Sequence, residues 1–239
     1  VYPDPFDEGV EEHVKAEARD WCDLNAQDEL ILGISFNDMP IFHISLDGTH
    51  EWVSTIMGKD GQSPGKKRWI QVLKQRHESA RKAAEVYGVP DSTWEDLQAR
   101  TQWPARPERP WLAYQDSREF LPVLVGRWYA VITGAISDCD PHHLILGDKL
   151  EGTRDMPTWL DPLVGKYFDA AFIQWYEYAD RQVPRLMELH AVTGEPVLMG
   201  DSTFSFPSET IPRPKGIHVA SRQDVGEAHA KYLERILAQ

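Results

Sequence analysis

Several features that would narrow function at once are missing from this sequence. Cysteine occurs only twice, at Cys22 and Cys139, far apart and in helix-like surroundings. Two such residues make no zinc site, and they read as buried thiols, because sequence alone cannot establish a pairing. There is no Gly-rich phosphate loop, no dinucleotide fingerprint and no Gly-x-Ser-x-Gly elbow, so no cofactor is expected. Basic residues number 25 against 38 acidic ones, and none cluster, which argues against nucleic acid and membrane as partners. No apolar run approaches the ~18 residues of a membrane span, and no signal peptide opens the chain. The protein therefore reads as soluble. Val1 does not look like a natural start, so a removed leader and a secreted or periplasmic location stay open.

What is present is an ordinary globular composition, with 41% hydrophobic residues in 239, enough to build a core. One domain over 1–239 is expected. The proline-rich connector Trp103–Pro110 has similar composition on either side and marks no boundary. Loop insertions are expected at about 41–62 and 98–115. Apolar periodicity predicts helices over 5–22, from Ser63-Pro64 through Tyr87, over 116–137, 183–192 and 221–238. Gly88 closes the second of these, and Ser221 with Asp224 opens the last. A short capped turn is expected at 92–97.

Between the helices lie four apolar runs that read as buried strands: 30–36, 144–147, 168–176 and 196–200. Strands alternating with helices argue for parallel βα units, and four strands are half of an eight-stranded barrel. The chemistry of such barrels sits at the carboxyl ends of the strands. Acids stand there: Asn37-Asp38 after the first run, Asp148 and Glu151 after the second, Glu177 after the third and Asp201 after the fourth. Ser202, Thr203 and Phe204 follow Asp201 as candidate sugar contacts. Trp52, Trp103, Trp111, Trp159 and Trp175 are candidates to line a sugar cleft, while Trp69, Trp94 and Trp128 read as helix core. Asp140, His142 and His143, or His43 and His50, could offer metal ligands. Adjacent histidines on a strand face opposite ways, however, and no zinc spacing is present, so no metal is expected.

Taken together, Leu30–Pro40, Asp140–Asp148, Gln174–Tyr178 and Thr193–Asp201 resemble the β4-to-α7 portion of the clan-A retaining glycoside hydrolases. These are (β/α)8 TIM-type barrels, and the likeness is to their agarase and β-galactosidase-like groups. The resemblance implies an α/β fold, a partial barrel corresponding to the C-terminal half, completed by a missing segment or a partner chain. It implies hydrolysis of a β-linked poly- or oligosaccharide, agar-like galactan among the candidates. The alternative is a degenerate barrel that binds carbohydrate or serves as an interaction module. By the same resemblance Asp201 falls on the nucleophile position and Tyr176 on a tyrosine that hydrogen-bonds it. Asn37-Asp38 places Asp38 as acid/base, whereas a register set by Pro40 places Met39 there. Asp148, Glu151, Glu177, Trp175, Phe204 and Trp52 complete the expected substrate contacts. The family uses Glu where Asp38 and Asp201 stand, and each Asp retracts its carboxyl by about 1.5 Å. That shift bears on whether the outcome is retention, at ~5–5.5 Å between carboxyls, or inversion at ~6.5–9.5 Å.

Overall fold

The computed structural model describes residues 2–38, 40, 42–90, 93–152 and 156–238. They form two compact units, Val1–Asp28 with Phe42–His142, and Glu29–Ile41 with His143–Gln239.

The first unit is helical, with α1 (Glu8–Asn25), α2 (Glu51–Met57), α3 (Pro64–Arg76), α4 (Ala80–Tyr87), α5 (Trp94–Ala99) and α6 (Pro110–Ser137). Its axis is α6. Pro110 starts this helix where a missing N–H does no harm, and Phe120, Leu121, Leu124 and Val125 are fully buried along it. By length and composition α6 could cross a membrane, which corrects the reading that no stretch comes near a span; Arg127 interrupts the apolar run in sequence. Over half of its apolar window is buried within the protein, as in a core helix.

Polar anchors decide where the other helices stop. Asp116 on α6 is fully buried and accepts from Arg76 Nε at 2.6 Å, His77 Nε2 at 3.0 Å and Tyr87 Oη at 2.9 Å. These contacts explain why the single helix expected over 63–87 is two. His77 leaves the helix in an extended conformation to reach Asp116, and Ser79 opens α4 by accepting from the Lys82 N–H. Gly88, at φ 68°, closes α4 as its sequence position implies. At the start of α3, Ser63 caps nothing itself. The Asp4 carboxylate accepts from the Gly65 N–H at 3.0 Å and from the Ser63 hydroxyl at 2.5 Å.

Lys66, also fully buried, donates to the carbonyls of Met57 and Arg100 (2.7 Å to the latter), and its ammonium lies 4.8 Å from the Trp103 ring centroid. Further expectations fail in this unit, and α6 starts at Pro110, inside the loop expected over 98–115 and before the helix expected from 116. Cys22 and Cys139 are joined in a disulfide across 117 residues rather than remaining thiols; in the chain-entropy view, closing so long a loop contributes about 4–5 kcal/mol. The expected loop over 41–62 contains α2, opened by His50 accepting from the Trp52 N–H, a capping role hard to read from a histidine.

The second unit holds a four-stranded parallel sheet in the order β1 (Gly33–Asp38), β2 (Leu144–Glu151), β3 (Ala171–Gln174) and β4 (Val197–Asp201). Helices α7 (Asp161–Tyr167) and α8 (Ala179–Thr193) lie between the last three strands in sequence. A short parallel pair, β5 (Phe204–Ser205) and β6 (Ile217–His218), precedes α9 (Arg222–Leu237). All four predicted strands are present, but their burial differs from the reading. The inner strands β2 and β3 are covered, whereas β1 and β4 are half-exposed because they are the sheet edges. Leu30 and Leu32 fall outside β1 and are exposed at 94% and 66%, so the first run shifts by three residues. Strand β3 ends at Gln174, so Trp175 and Tyr176 lie beyond it and strand alternation does not govern them. Ser221 caps α9 by accepting from the Asp224 N–H, as predicted. The sheet is open among the described residues, and the closed barrel remains a proposal taken up below.

Two outcomes follow for stability. Asp116→Ala strands the buried Tyr87 hydroxyl and the His77 ring and removes the nearest partner of Arg76, and it should lower the unfolding free energy by ~3–5 kcal/mol in urea melts. Burial lowers Lys66 to about 8 from an ordinary 10.5. Between those values the unfolded chain binds more protons than the folded one, so stability should rise with pH across that window. Lys66→Met, compared by thermal melts at pH 7.5 and 10, should remove that part of the rise.

Candidate functional site

The carboxyl ends of the sheet strands gather three charged groups. Asp38 is the last residue of β1 and Asp201 the last of β4; Lys149 lies near the end of β2, in register with Asp38. The Lys149 ammonium is 3.1 Å from Asp38 Oδ1 and 2.6 Å from Asp201 Oδ2. Those two oxygens are therefore no more than about 6 Å apart, near the ~5–5.5 Å separation of retaining pairs and short of the inverting range. The lysine reaches β4 by passing over Gly200, where a Cβ would stand 3.2 Å from Lys149 Cδ and press into the Phe172 ring. Glycine there leaves room for the lysine stem. Asp201 first, then Asp38, holds the Lys149 amine above the usual lysine range, so it stays charged through neutral pH. Exposure falls from 74% at the Asp38 side chain through 44% at Asp201 to 18% at Lys149, so the cation is the most sheltered of the three.

Backbone contacts fix the Asp201 end. The Trp175 N–H donates to the Asp201 carbonyl at 3.1 Å, and the Trp175 carbonyl accepts from Gln182 Nε2 at 2.6 Å. Tyr232 of α9 in turn donates to Gln182 Oε1 at 2.6 Å. A chain of hydrogen bonds thus runs from α9 through α8 to the last residue of β4. Beside Trp175 stands Gly152, where a Cβ would lie 2.8 Å from Trp175 Cβ.

The other expected site residues divide by environment. Asn37 donates to Asp148 Oδ1 at 2.6 Å, and Asp148 is buried. Asn37–Asp148 and Asp38–Lys149 thus form two separate cross-strand pairs at adjacent positions, where the β1–β2 register is irregular. Glu151 ends β2 in register with Gln174 and is exposed. Glu177 accepts from the Tyr178 N–H and pairs with Arg181 at 3.1 Å, which makes it part of the start of α8. Tyr176 is half-buried; among the described residues the side-chain partner of Asp201 is Lys149 and not Tyr176. Phe204 is core rather than sugar contact: 4% exposed, packed with Ala179 and Tyr232 and edge-on to His229 at 5.1 Å. Trp52 is likewise core of the helical unit, 3% exposed, stacked on Tyr2 at 5.3 Å and donating from Nε1 to the Pro3 carbonyl. Met39, the rival for the acid/base position, lies outside the described residues. Among the described residues no group of three or more His, Cys, Asp and Glu is placed to hold a metal.

Lys149 is the residue that acid-seeking sequence reasoning passed over. Its signal was present: Asp148-Lys149 is a charged pair inside Leu144–Leu150, an otherwise apolar strand, and such a cation needs partners.

The sequence matches no protein-family profile and no curated protein. In fold, the chain is similar to part of several solved agarase structures. It superposes on an exo-β-agarase with a TM-score of 0.71 at 17% identity, covering 99% of this chain and 32% of that one. On an agarase, AgWH50C, the TM-score is 0.75 at 16% identity, with 99% and 33% covered. PfGH50B gives 0.76 at 15% identity, with 99% and 34% covered. The chain therefore spans about a third of the length of these three structures. Identities this low establish the fold, and they do not single out the retaining clan.

If Lys149 cancels the repulsion of two nearby carboxylates, Lys149→Met should lower the melting temperature near neutral pH. The deficit should shrink in 1 M salt and vanish in acid, where both carboxyls are protonated. A deficit independent of salt and pH would instead show a packing role for the lysine stem.

Proposed function

We propose that this chain is the part of a carbohydrate-active protein that carries a glycoside-hydrolase carboxylate pair, acting on a β-linked poly- or oligosaccharide such as an agar-like galactan. The observation that carries this reading is the approach of Asp38 and Asp201 to within about 6 Å at one end of a parallel sheet. In it, β1 to β4 are consecutive strands of a (β/α)8 barrel, and further βα units, on a missing segment or a partner chain, cover the two edges. Support comes from the fold likeness to two agarases, each about three times as long. Asp201 serves as nucleophile and Asp38 as acid/base. The Cys22–Cys139 disulfide supports a secreted or periplasmic location.

One feature of the site favours a second reading. The Lys149 ammonium occupies the space between the carboxyls, where an anomeric carbon and its leaving oxygen have to sit in a retaining site. A carboxylate paired to an ammonium is also in the wrong state to donate a proton. Hydrolysis thus requires sugar binding to move Lys149 aside; a lysine that stays marks a barrel that binds carbohydrate without cutting it.

Incubation of the intact gene product with β-galactans and β-glucans, followed by NMR of anomeric protons, separates the readings. The enzyme releases product with one defined initial anomer, and Asp201→Asn lowers turnover about a thousandfold or more while oligosaccharide binding persists. No release from any substrate, with binding equal in wild type and Asp201→Asn, establishes the binding module.

A further inference from the structure

We infer that the helical unit carries a second binding site, a cavity for a neutral saccharide of one or two rings, which goes beyond the carboxylate pair and does not depend on it. The cavity has a volume of about 600 Å³, within the ~300–1,000 Å³ of small-molecule sites. It is lined from α2, α4, α6, the turn at 48–49 and the connector at 101–107. Trp103 and Tyr87 supply aromatic surface and Pro104 an apolar ring; Thr49, Ser54 and Gln102 supply hydroxyls and an amide.

The lining selects the ligand class. None of the described residues that line it is charged, in a chain where 26% of residues are. A charged ligand would meet no counter-charge in this lining, and a wholly apolar one would leave the Ser54 hydroxyl and the Gln102 amide unused as hydrogen-bonding groups. A sugar presents C–H faces to aromatic rings and hydroxyls to polar side chains, and it satisfies both halves of the lining.

The walls are also held before any ligand arrives, which lowers the entropy lost on binding. Trp103 Nε1 donates to the Met57 carbonyl at 2.8 Å, its ring meets Tyr87 edge-on at 5.3 Å, and Lys66 lies 4.8 Å from its centroid. Across the cavity, Asp47 accepts from Ser45 Oγ at 2.5 Å, Thr49 Oγ1 at 2.7 Å and the Thr49 N–H at 3.1 Å. These bonds hold Asp47 down to about 2, so the turn keeps its anchor across any physiological pH. Gly48, at φ 83°, completes the turn, and Ser117 Oγ ties its carbonyl to α6 at 2.9 Å. Neither Asp47 nor Lys66 is among the lining residues; they brace the cavity from outside it.

The test is titration of the ¹⁵N-labelled intact chain with β-1,4-galactobiose and with cellobiose, reading the indole N–H signal of Trp103, assigned from a Trp103→Phe spectrum. At millimolar sugar that signal should move. Ser54→Trp, placed on an exposed position of α2, and Ala105→Trp, on the exposed connector, each fill the cavity from a different wall and should weaken the response tenfold or more. If one variant fails to fold, the other carries the test. Asp201→Asn should leave the response unchanged, so failure of the hydrolase reading and failure of this one are read separately. A Trp103 signal that stays fixed at millimolar sugar overturns the site, as does a response that survives the folded blocking variants. Saturable response to toluene with none to either sugar overturns the ligand class.

Discussion

An ammonium held between two carboxylates is the constraint on which the candidate site depends. Asp38 and Asp201 end the opposite edge strands of the sheet, and like charges so close would repel with nothing between them. Lys149 converts that repulsion into two attractions, and the surrounding architecture makes its reach feasible. The parallel β1–β2 register sets Lys149 beside Asp38, and the bare backbone of Gly200 lets the stem cross to β4. The hydrogen-bond chain from Tyr232 through Gln182 and Trp175 fixes the backbone of Asp201 from behind. Loss of any one of these would loosen the bridge without touching a charged atom.

The helical unit solves the burial of charge in two contrasting ways. Asp116 is an anion served by three donors from two other helices and the bend between them, so its desolvation is offset by charge-assisted hydrogen bonds. Among the described residues Lys66 meets carbonyl oxygens and an aromatic face and no carboxylate, and burial correspondingly drives its amine toward the neutral form. The first arrangement staples α3, α4 and α6. The second ties the end of α2 to the connector after α5, which is also where Trp103 is held.

Features set by local chemistry were legible in the sequence; those set by distant partners were not. Gly88 and the Ser221–Asp224 cap act within a few residues, and both act as read. The four strands were found because apolar runs between helices have few other uses, and the carboxyl-end positions of Asp38 and Asp201 followed from them. The break at His77 was invisible because its cause, Asp116, lies 39 residues away. The disulfide spans 117 residues, and no local rule pairs Cys22 with Cys139. Phe204 and Trp52 were misjudged for the reason that makes aromatics ambiguous in general: a ring suited to a sugar is equally suited to a core, and only packing decides.

In the proposed reading, Lys149 also sets what sugar binding would have to accomplish. To admit a sugar ring between the carboxyls, the ammonium must leave contacts of 2.6 and 3.1 Å, and the two aspartates must then face each other across the ligand. Displacement of the lysine would therefore clear the reacting position. The geometry of the pair rests on Lys149, and in the proposed reading the competition of a sugar with two ion pairs separates an enzyme from a binding protein.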